Sequence, residues 1–337
     1  MKLPPWAVIV AALSGMSAPA PAQQLITRTL PVSVTLIGVH AVDDRVVWAS
    51  GQKGTWVRTT DGGASWTTGR VPGADTLEFR DVHAVSADTA WLLSIGNGPA
   101  SRIYRTTDGG QTWTTQFVAA DKRVFLDCFG FWDRNRALVT SDTFDERFLV
   151  LRTDDGGARW LPIPAERFPR ARPNEGMYAA SGTCLVTAGE RHAWITTTAE
   201  GFTRVLRTTD GGESWAEAVP PIPSASATVA MSDTLTGLVI ASDIDGKQAP
   251  GQNVARTADG GATWELVARL PAPVYGAAFH PGTTTVIATG PQGSFLSPDG
   301  GRGWRHLSPE NHWSVAFSPG GTAWLVGRGG RVTRVEF

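Results

Sequence analysis

Thr59-Thr60-Asp61-Gly62-Gly63-Ala64-Ser65-Trp66 decides the fold, because its pattern, hydroxyl-x-Asp-x-Gly-x-x-Trp, returns five more times along the chain. The copies span residues 106–113, 153–160, 208–215, 257–264 and 297–304. Their acids and indoles are Asp108 and Trp113, Asp155 and Trp160, Asp210 and Trp215, Asp259 and Trp264, and Asp299 and Trp304. Such a stretch predicts a tight hairpin. The Asp carboxylate folds back to accept backbone N–H groups of the turn. The second glycine, as at Gly63, takes a positive φ that a side chain resists. The Trp then opens the next strand and buries a large ring against the neighbouring unit. These residues hold a turn and carry no chemistry.

The spacing turns the repeats into an architecture. Successive box acids lie 47 (61 to 108), 47 (108 to 155), 55 (155 to 210), 49 (210 to 259) and 40 (259 to 299) residues apart. A four-stranded propeller blade takes about 40 to 45 residues, so each unit is one blade with loops of varying length. Inner strands are legible at residues 37–42, 80–85, 126–131, 274–279 and 312–317, with looser versions near 183–186 and 226–231. One column of that alignment is mostly small (Ala41, Ala84, Gly130, Ala230, Ala278 and Ala316, with Leu185 the exception), as suits the crowded centre. Second strands follow at 46–49, 90–93, 137–140, 193–196, 237–241, 285–288 and 323–327. That makes seven units, one more than the boxes. The last unit stops where its box would begin, and residues 26–34 have strand character and no other place to pair. They are expected to supply its outer strand and so cap an edge that would otherwise invite aggregation. The expectation is therefore an all-β, seven-bladed propeller with six box hairpins, closed by an N-terminal strand.

These residues resemble the Asp-box, or bacterial neuraminidase repeat. In its longer form, apolar-Trp-Ala-x-Gly-x-x-Gly-x-apolar-x-Arg-Thr-x-Asp-Gly-Gly-x-x-Trp at residues 47–66, the chain is similar to the photosystem II assembly and stability factor family and its bacterial relatives. The box alone is shared with sialidases, xyloglucanases and sortilin-type receptors, so it specifies fold far better than activity. The resemblance implies a propeller that binds a protein and serves a membrane-associated complex.

Residues 1–22 read as a leader: Lys2, an apolar run over 6–13 too short to span a bilayer, and Ala20-Pro21-Ala22 before a cut at Gln23. The expected mature domain is 23–337, periplasmic or secreted, without a membrane span and monomeric. A formal net charge of -1 gives no global attraction to nucleic acid. Two cysteines, Cys128 and Cys184, exclude a cysteine-rich zinc site. They fall in adjacent alignment columns of consecutive inner strands, so alternation points them to different sides; two buried thiols are expected, with a disulfide the alternative in an oxidising compartment.

Boxes join third and outer strands on one face. On the opposite face the second-to-third-strand turns are minimal at 51–54, 290–293 and 327–330, while blades three to five carry 142–148, 161–176 and 243–253. Long loops on a rigid scaffold are where binding resides. The candidate contacts lie there: Arg167, Arg170, Arg172 and Glu175 in a Pro-stiffened connection, with Lys122, Arg123, Asp145, Glu146 and Arg147 expected on the same rim. Arg80, Asp81 and Asp127 stand near the channel mouth, with Tyr275 and Trp313 at the starts of later inner strands. His40 and His83 share one column and read as core histidines rather than a metal pair. No cofactor or metal is implied.

The alternative is a sialidase-like glycoside hydrolase or a carbohydrate-binding propeller. A sialidase requires an arginine triad and a tyrosine nucleophile with its acid partners. Only Tyr104, Tyr178 and Tyr275 are available, and Arg58, Arg105, Arg152, Arg207 and Arg256 occupy one structural slot ahead of the boxes. No sequence like Phe-Arg-Ile-Pro opens the first blade. Non-catalytic binding of a protein is the favoured expectation.

Overall fold

The computed structural model describes residues 23–177, 180–199, 201–223, 226–242 and 251–337. Residues 1–22, expected to be a leader, Tyr178 and most of the 243–253 loop lie outside the described residues. Among the described residues the strands form seven four-stranded antiparallel sheets, each a blade running from an inner to an outer strand. In the last blade the first described strand, Gln24–Thr29, pairs with the last, Arg331–Glu336, in register from Gln24 opposite Glu336 to Thr29 opposite Arg331. This is the closure expected of residues 26–34, made by the first part of that stretch. The remainder leads to the inner strand of blade one, tied on the way by the amides of Leu30 and Gly330, which donate to the carbonyls of Gly330 and Val34 at 2.9 and 2.8 Å.

The box turn is built on two side chains. Thr59 Oγ1 donates to Asp61 Oδ1 at 2.8 Å and accepts the Gly63 amide at 2.9 Å, while Asp61 accepts the Ser65 amide at 2.9 Å. The same bonds recur around Asp108, Asp155, Asp210, Asp259 and Asp299. Both box glycines are left-handed, with φ of 74° at Gly62 and 85° at Gly63. At Gly110 a Cβ would come within 2.5 Å of the Trp56 ring of the preceding blade, so the glycine also permits close blade packing.

Blades are stapled by residues just outside the box. Trp91 and Trp194, fully buried on second strands, donate their indole N–H to the carbonyls of Gly156 and Gly260 in the next blade's box at 3.1 and 2.8 Å. The arginine ahead of the box works in parallel. Arg58 donates to the Ala87 carbonyl at 2.6 Å and lies over Trp48, Arg105 lies over Trp91, and Arg152 donates to the Gly211 carbonyl at 3.1 Å. Arg334 donates to Gly62 at 3.2 Å, carrying the same link across the closure.

Three expectations are corrected. The small central column holds only in part: opposite the second-strand position of Trp48 and Trp91 stand His40 and His83, against Gly130, Ala230, Ala278 and Ala316 in other blades. Ala41 and Ala84 stand opposite Val47 and Ala90, one position nearer the turn, so the inner strands of blades one and two are one residue out of step with the linear alignment. The inner strand of blade four is Leu185–Ala188, and Gly182–Cys184 before it is a 3-10 turn. Finally, Cys128 and Cys184 form a disulfide with Cα atoms 6.0 Å apart. Cys128 sits inside the bulge of its strand and Cys184 in the turn, so the alternation that separates side chains in a regular strand does not apply to either.

Candidate functional site

On the face opposite the boxes, the 142–148 segment is an extended hairpin rather than a loop. Its strands, Ala137–Phe144 and Arg147–Thr153, run on until Phe144 pairs with Arg147, leaving Asp145 and Glu146 as the turn, both at positive φ (52° and 55°). Facing it, residues 172–177 of the connection from blade three to blade four complete the wall of a cavity of about 750 Å³. Arg80 and Asp127, from the inner strands of blades two and three, line it with Asp142.

A buried ion pair fixes the connection. Glu175 accepts Arg204 Nε at 2.5 Å, Arg204 Nη2 at 2.6 Å and the Arg172 amide at 2.8 Å, and the Thr197 hydroxyl also donates to it. Both side chains are shielded from solvent, at 1% exposure for Arg204 and 0% for Glu175. Arg204 reaches further to the Arg170 carbonyl and to Glu217. With its charge neutralised inside the protein, Glu175 is an anchor for the cavity wall rather than a contact group.

The lip is a set of exposed pairs. Arg123 bridges Asp121 and Asp145 at 2.7 and 2.8 Å and lies over Phe144; those carboxylates hold its guanidinium charged still more firmly than usual. Arg170 pairs with Glu146, and Arg172 lies over Phe202 with its guanidinium 3.8 Å from Glu217. Lys122 and Arg147 are exposed beside them. Arg167 is not on this rim. It pairs with Glu213 of the blade-four box at 2.7 Å, because the connection starts near the box end of blade three and climbs the outside of the ring. Its next residue, Phe168, stacks on Trp215 with centroids 5.0 Å apart.

The later part of the connection crosses the ring axis. Ala180 accepts the Trp313 indole N–H, Ser181 Oγ donates to the Tyr275 carbonyl at 2.6 Å, Thr183 bonds Thr228, and Cys184 is tied to Cys128. Tyr275 and Trp313 pack together at 4.8 Å. Gly182 lies so near Asp81 that a Cβ would fall 2.2 Å from its Oδ1. Asp81 accepts the amides of Val82 and Phe129 at 2.8 and 3.0 Å, yet burial pushes its carboxyl up to about 7. Asp81, Tyr275 and Trp313 therefore belong to this plug. Below it, His40 and His83 line a void of about 350 Å³ with ring centroids 4.3 Å apart. Burial lowers His40 to about 4, and burial and then His40 lower His83 further, so both are neutral at pH 7. Among the described residues no group of three metal-ligating side chains is present.

The structure thus gathers Arg80, Asp127, Asp145, Glu146, Arg172 and Glu175 around one cavity, with Lys122, Arg123, Arg147 and Arg170 at its lip. The sequence reading missed Asp142 and Arg204. Arg204 is a second arginine on the strand leading to its box, a feature it shares with Arg102 and Arg147, and nothing in the chain named Glu175 as its partner.

No family model matches the chain, and no curated protein does. Among solved structures it is similar to "YCF48 bound to D1 peptide", with a TM-score of 0.68 and 18% identity over 94% of this chain and 98% of that one. YCF48 from Cyanidioschyzon merolae superposes at 0.67 with 16% identity, covering 93% and 98%. Their fold is the fold of this chain. The GH74 xyloglucanase from Xanthomonas campestris gives 0.61 at 16% identity, over 91% of this chain but only 53% of the enzyme. At these identities the likeness is one of fold alone.

Proposed function

We propose that this chain is an exported, non-catalytic propeller that binds a segment of a protein partner on the face opposite its boxes, as an assembly or stability factor for a membrane-associated complex. The observation that carries this is the cavity: an opening of about 750 Å³ whose walls are held by a buried ion pair and a tight hairpin, and whose lip presents charges and aromatic rings. A rigid wall lowers the entropic cost of holding a peptide, and arginine beside an aromatic ring is a common anchor. That the YCF48 propeller has been solved with a D1 peptide supports a peptide as the kind of ligand such a ring accepts. No helix among the described residues is long and apolar enough to cross a membrane.

A second reading, glycoside hydrolysis, is favoured by one observation: burial raises both Asp127 and Asp142, and a general acid requires a carboxyl that holds its proton more tightly than usual. Tyr104, a possible sialidase nucleophile, is instead buried within blade two and accepts a hydrogen bond from Arg102.

Photo-crosslinking decides between the faces. Benzophenone side chains placed at Lys122 and at Asn174 are expected to trap one protein from the native envelope fraction, while the same group at Arg302 in a box traps none. Trapping from Arg302 alone would overturn the assignment of the face. Turnover of chromogenic glycosides that is lost in Asp127→Asn would replace binding with hydrolysis.

A further inference from the structure

Five of the seven charged side chains that line the cavity already have a counter-charge. Arg80 pairs with Glu78 at 2.6 Å, Asp145 with Arg123, Glu146 with Arg170, Arg172 with Glu217 and Glu175 with Arg204. Asp127 differs. It is 1% exposed, and neither carboxylate oxygen accepts a hydrogen bond from the described residues. The amide nearest to doing so, that of Asp142, donates instead to the Phe125 carbonyl at 3.0 Å. Asp142 stands beside it with one oxygen accepting the Met177 amide at 2.8 Å. A buried carboxylate without a partner is unfavourable and rare in native proteins, and a ligand that satisfies it is one reason for keeping it. Ile95, Phe125, Phe144 and Met177 supply an apolar part of the lining, and Thr143 and Asn174 its uncharged polar side chains.

Acid at the floor and aromatic walls above it are the complement of one chemistry, an organic cation on an aliphatic stem. We propose that the cavity between blades two and three binds the cationic side chain of an arginine or lysine presented by the partner, with its head group over Asp127 and Asp142 and its stem against Phe125, Phe144 and Met177. Burial already holds both carboxyls above their usual range, so each gains from a cation's arrival. A divalent metal fits the site poorly, since no group of three ligating side chains exists among the described residues. Arg80 supplies part of the field at Asp127, but its Nε is committed to Glu78.

The inference rests on the reading that this face takes up a partner segment, and the two fail separately. Calorimetric titration of the full chain with acetyl-Gly-Gly-Arg-Gly-Gly-amide and with its citrulline counterpart compares a charged and an uncharged head group of nearly the same shape. The arginine peptide is expected to bind at least about tenfold more tightly. Asp127→Asn is expected to remove that preference with circular dichroism and melting retained, while Asp154→Asn, in the blade-three box on the opposite face, keeps it. Equal binding of the two peptides to the unaltered protein would sink the pocket assignment whether or not the Asp127 variant folds. If crosslinking from Lys122 persisted in that case, the docking face would stand without the cation. Agmatine, a free alkylguanidinium, binding as tightly as the peptide would assign the cation to a small amine and overturn the peptide source.

Discussion

On one face of the ring, six turns repeat the same bonds around Asp61, Asp108, Asp155, Asp210, Asp259 and Asp299, whereas on the other the connections range from minimal turns to a segment of about twenty residues. The connection from blade two to blade three ends at the cavity lip; the one from blade three to blade four climbs the outside of the ring, lines the cavity and then plugs the axis. Repetition tells us what every blade needs, which is a fixed turn and a hold on its neighbour. Irregularity tells us what only this molecule needs. The buried pair Arg204–Glu175, the disulfide and the unpartnered Asp127 all belong to the irregular face.

The comparison breaks most sharply at Trp160, which is buried in the box of blade three. Trp160→Ala is expected to lower stability by about 3 to 5 kcal/mol, read from denaturant unfolding. It should leave crosslinking from Lys122 unchanged wherever the protein is still folded. Lost crosslinking in folded protein would mean that the box face is more than scaffold.

A smaller loss is expected on the other side. Replacing Cys128 and Cys184 with Ser opens a bridge spanning 56 residues of sequence, and stability should fall by about 2 to 4 kcal/mol. Unlike the tryptophan change, it should speed amide hydrogen exchange at 180–184 first, because those residues lose their covalent hold on blade three. Protection lost evenly around the ring would show that the plug is not a local unit.

The smallest difference is one of sign. Hydrogen bonds from the Ser65 hydroxyl and amide lower Asp61 to about 2, below its ordinary 3.8. Its contribution is therefore full above pH 4 and is lost as pH falls through about 2. Asp81, raised by burial to about 7, does the reverse: the folded chain keeps a proton that the unfolded chain releases, so stability is lost as pH rises from about 4 to 7. Subtracting the pH profile of Asp61→Asn from that of the unaltered protein should leave a term that grows with pH, and the same subtraction for Asp81→Asn a term that shrinks. Two differences of the same slope would show that burial does not govern Asp81.

What could be read from the chain follows the same division. Each box acid, its hydroxyl partner and its tryptophan lie within eight residues, so local chemistry fixed the turn and the spacing fixed the blade. Closure by the N-terminal strand was legible because a three-stranded last unit leaves only one candidate. The disulfide was not, since a bulge at Cys128 and a turn at Cys184 depart from regular strands. Nor was the position of Arg167, which depends on the path of the connection in space. Asp127 was noticed as a mouth residue, but its lack of a partner emerges only when the neighbouring amides are seen to donate elsewhere.

Because Gln24 lies opposite Glu336, both ends of the ring emerge together at the outer edge of blade seven, on the side where the boxes lie. Tension applied between the two ends would peel Gln24–Thr29 from Arg331–Glu336 one hydrogen bond at a time, the weak direction for a strand pair, and the break would start at the closure. A tether at either end holds the repeated face towards its anchor. The cavity then looks away from the attachment point, towards whatever approaches.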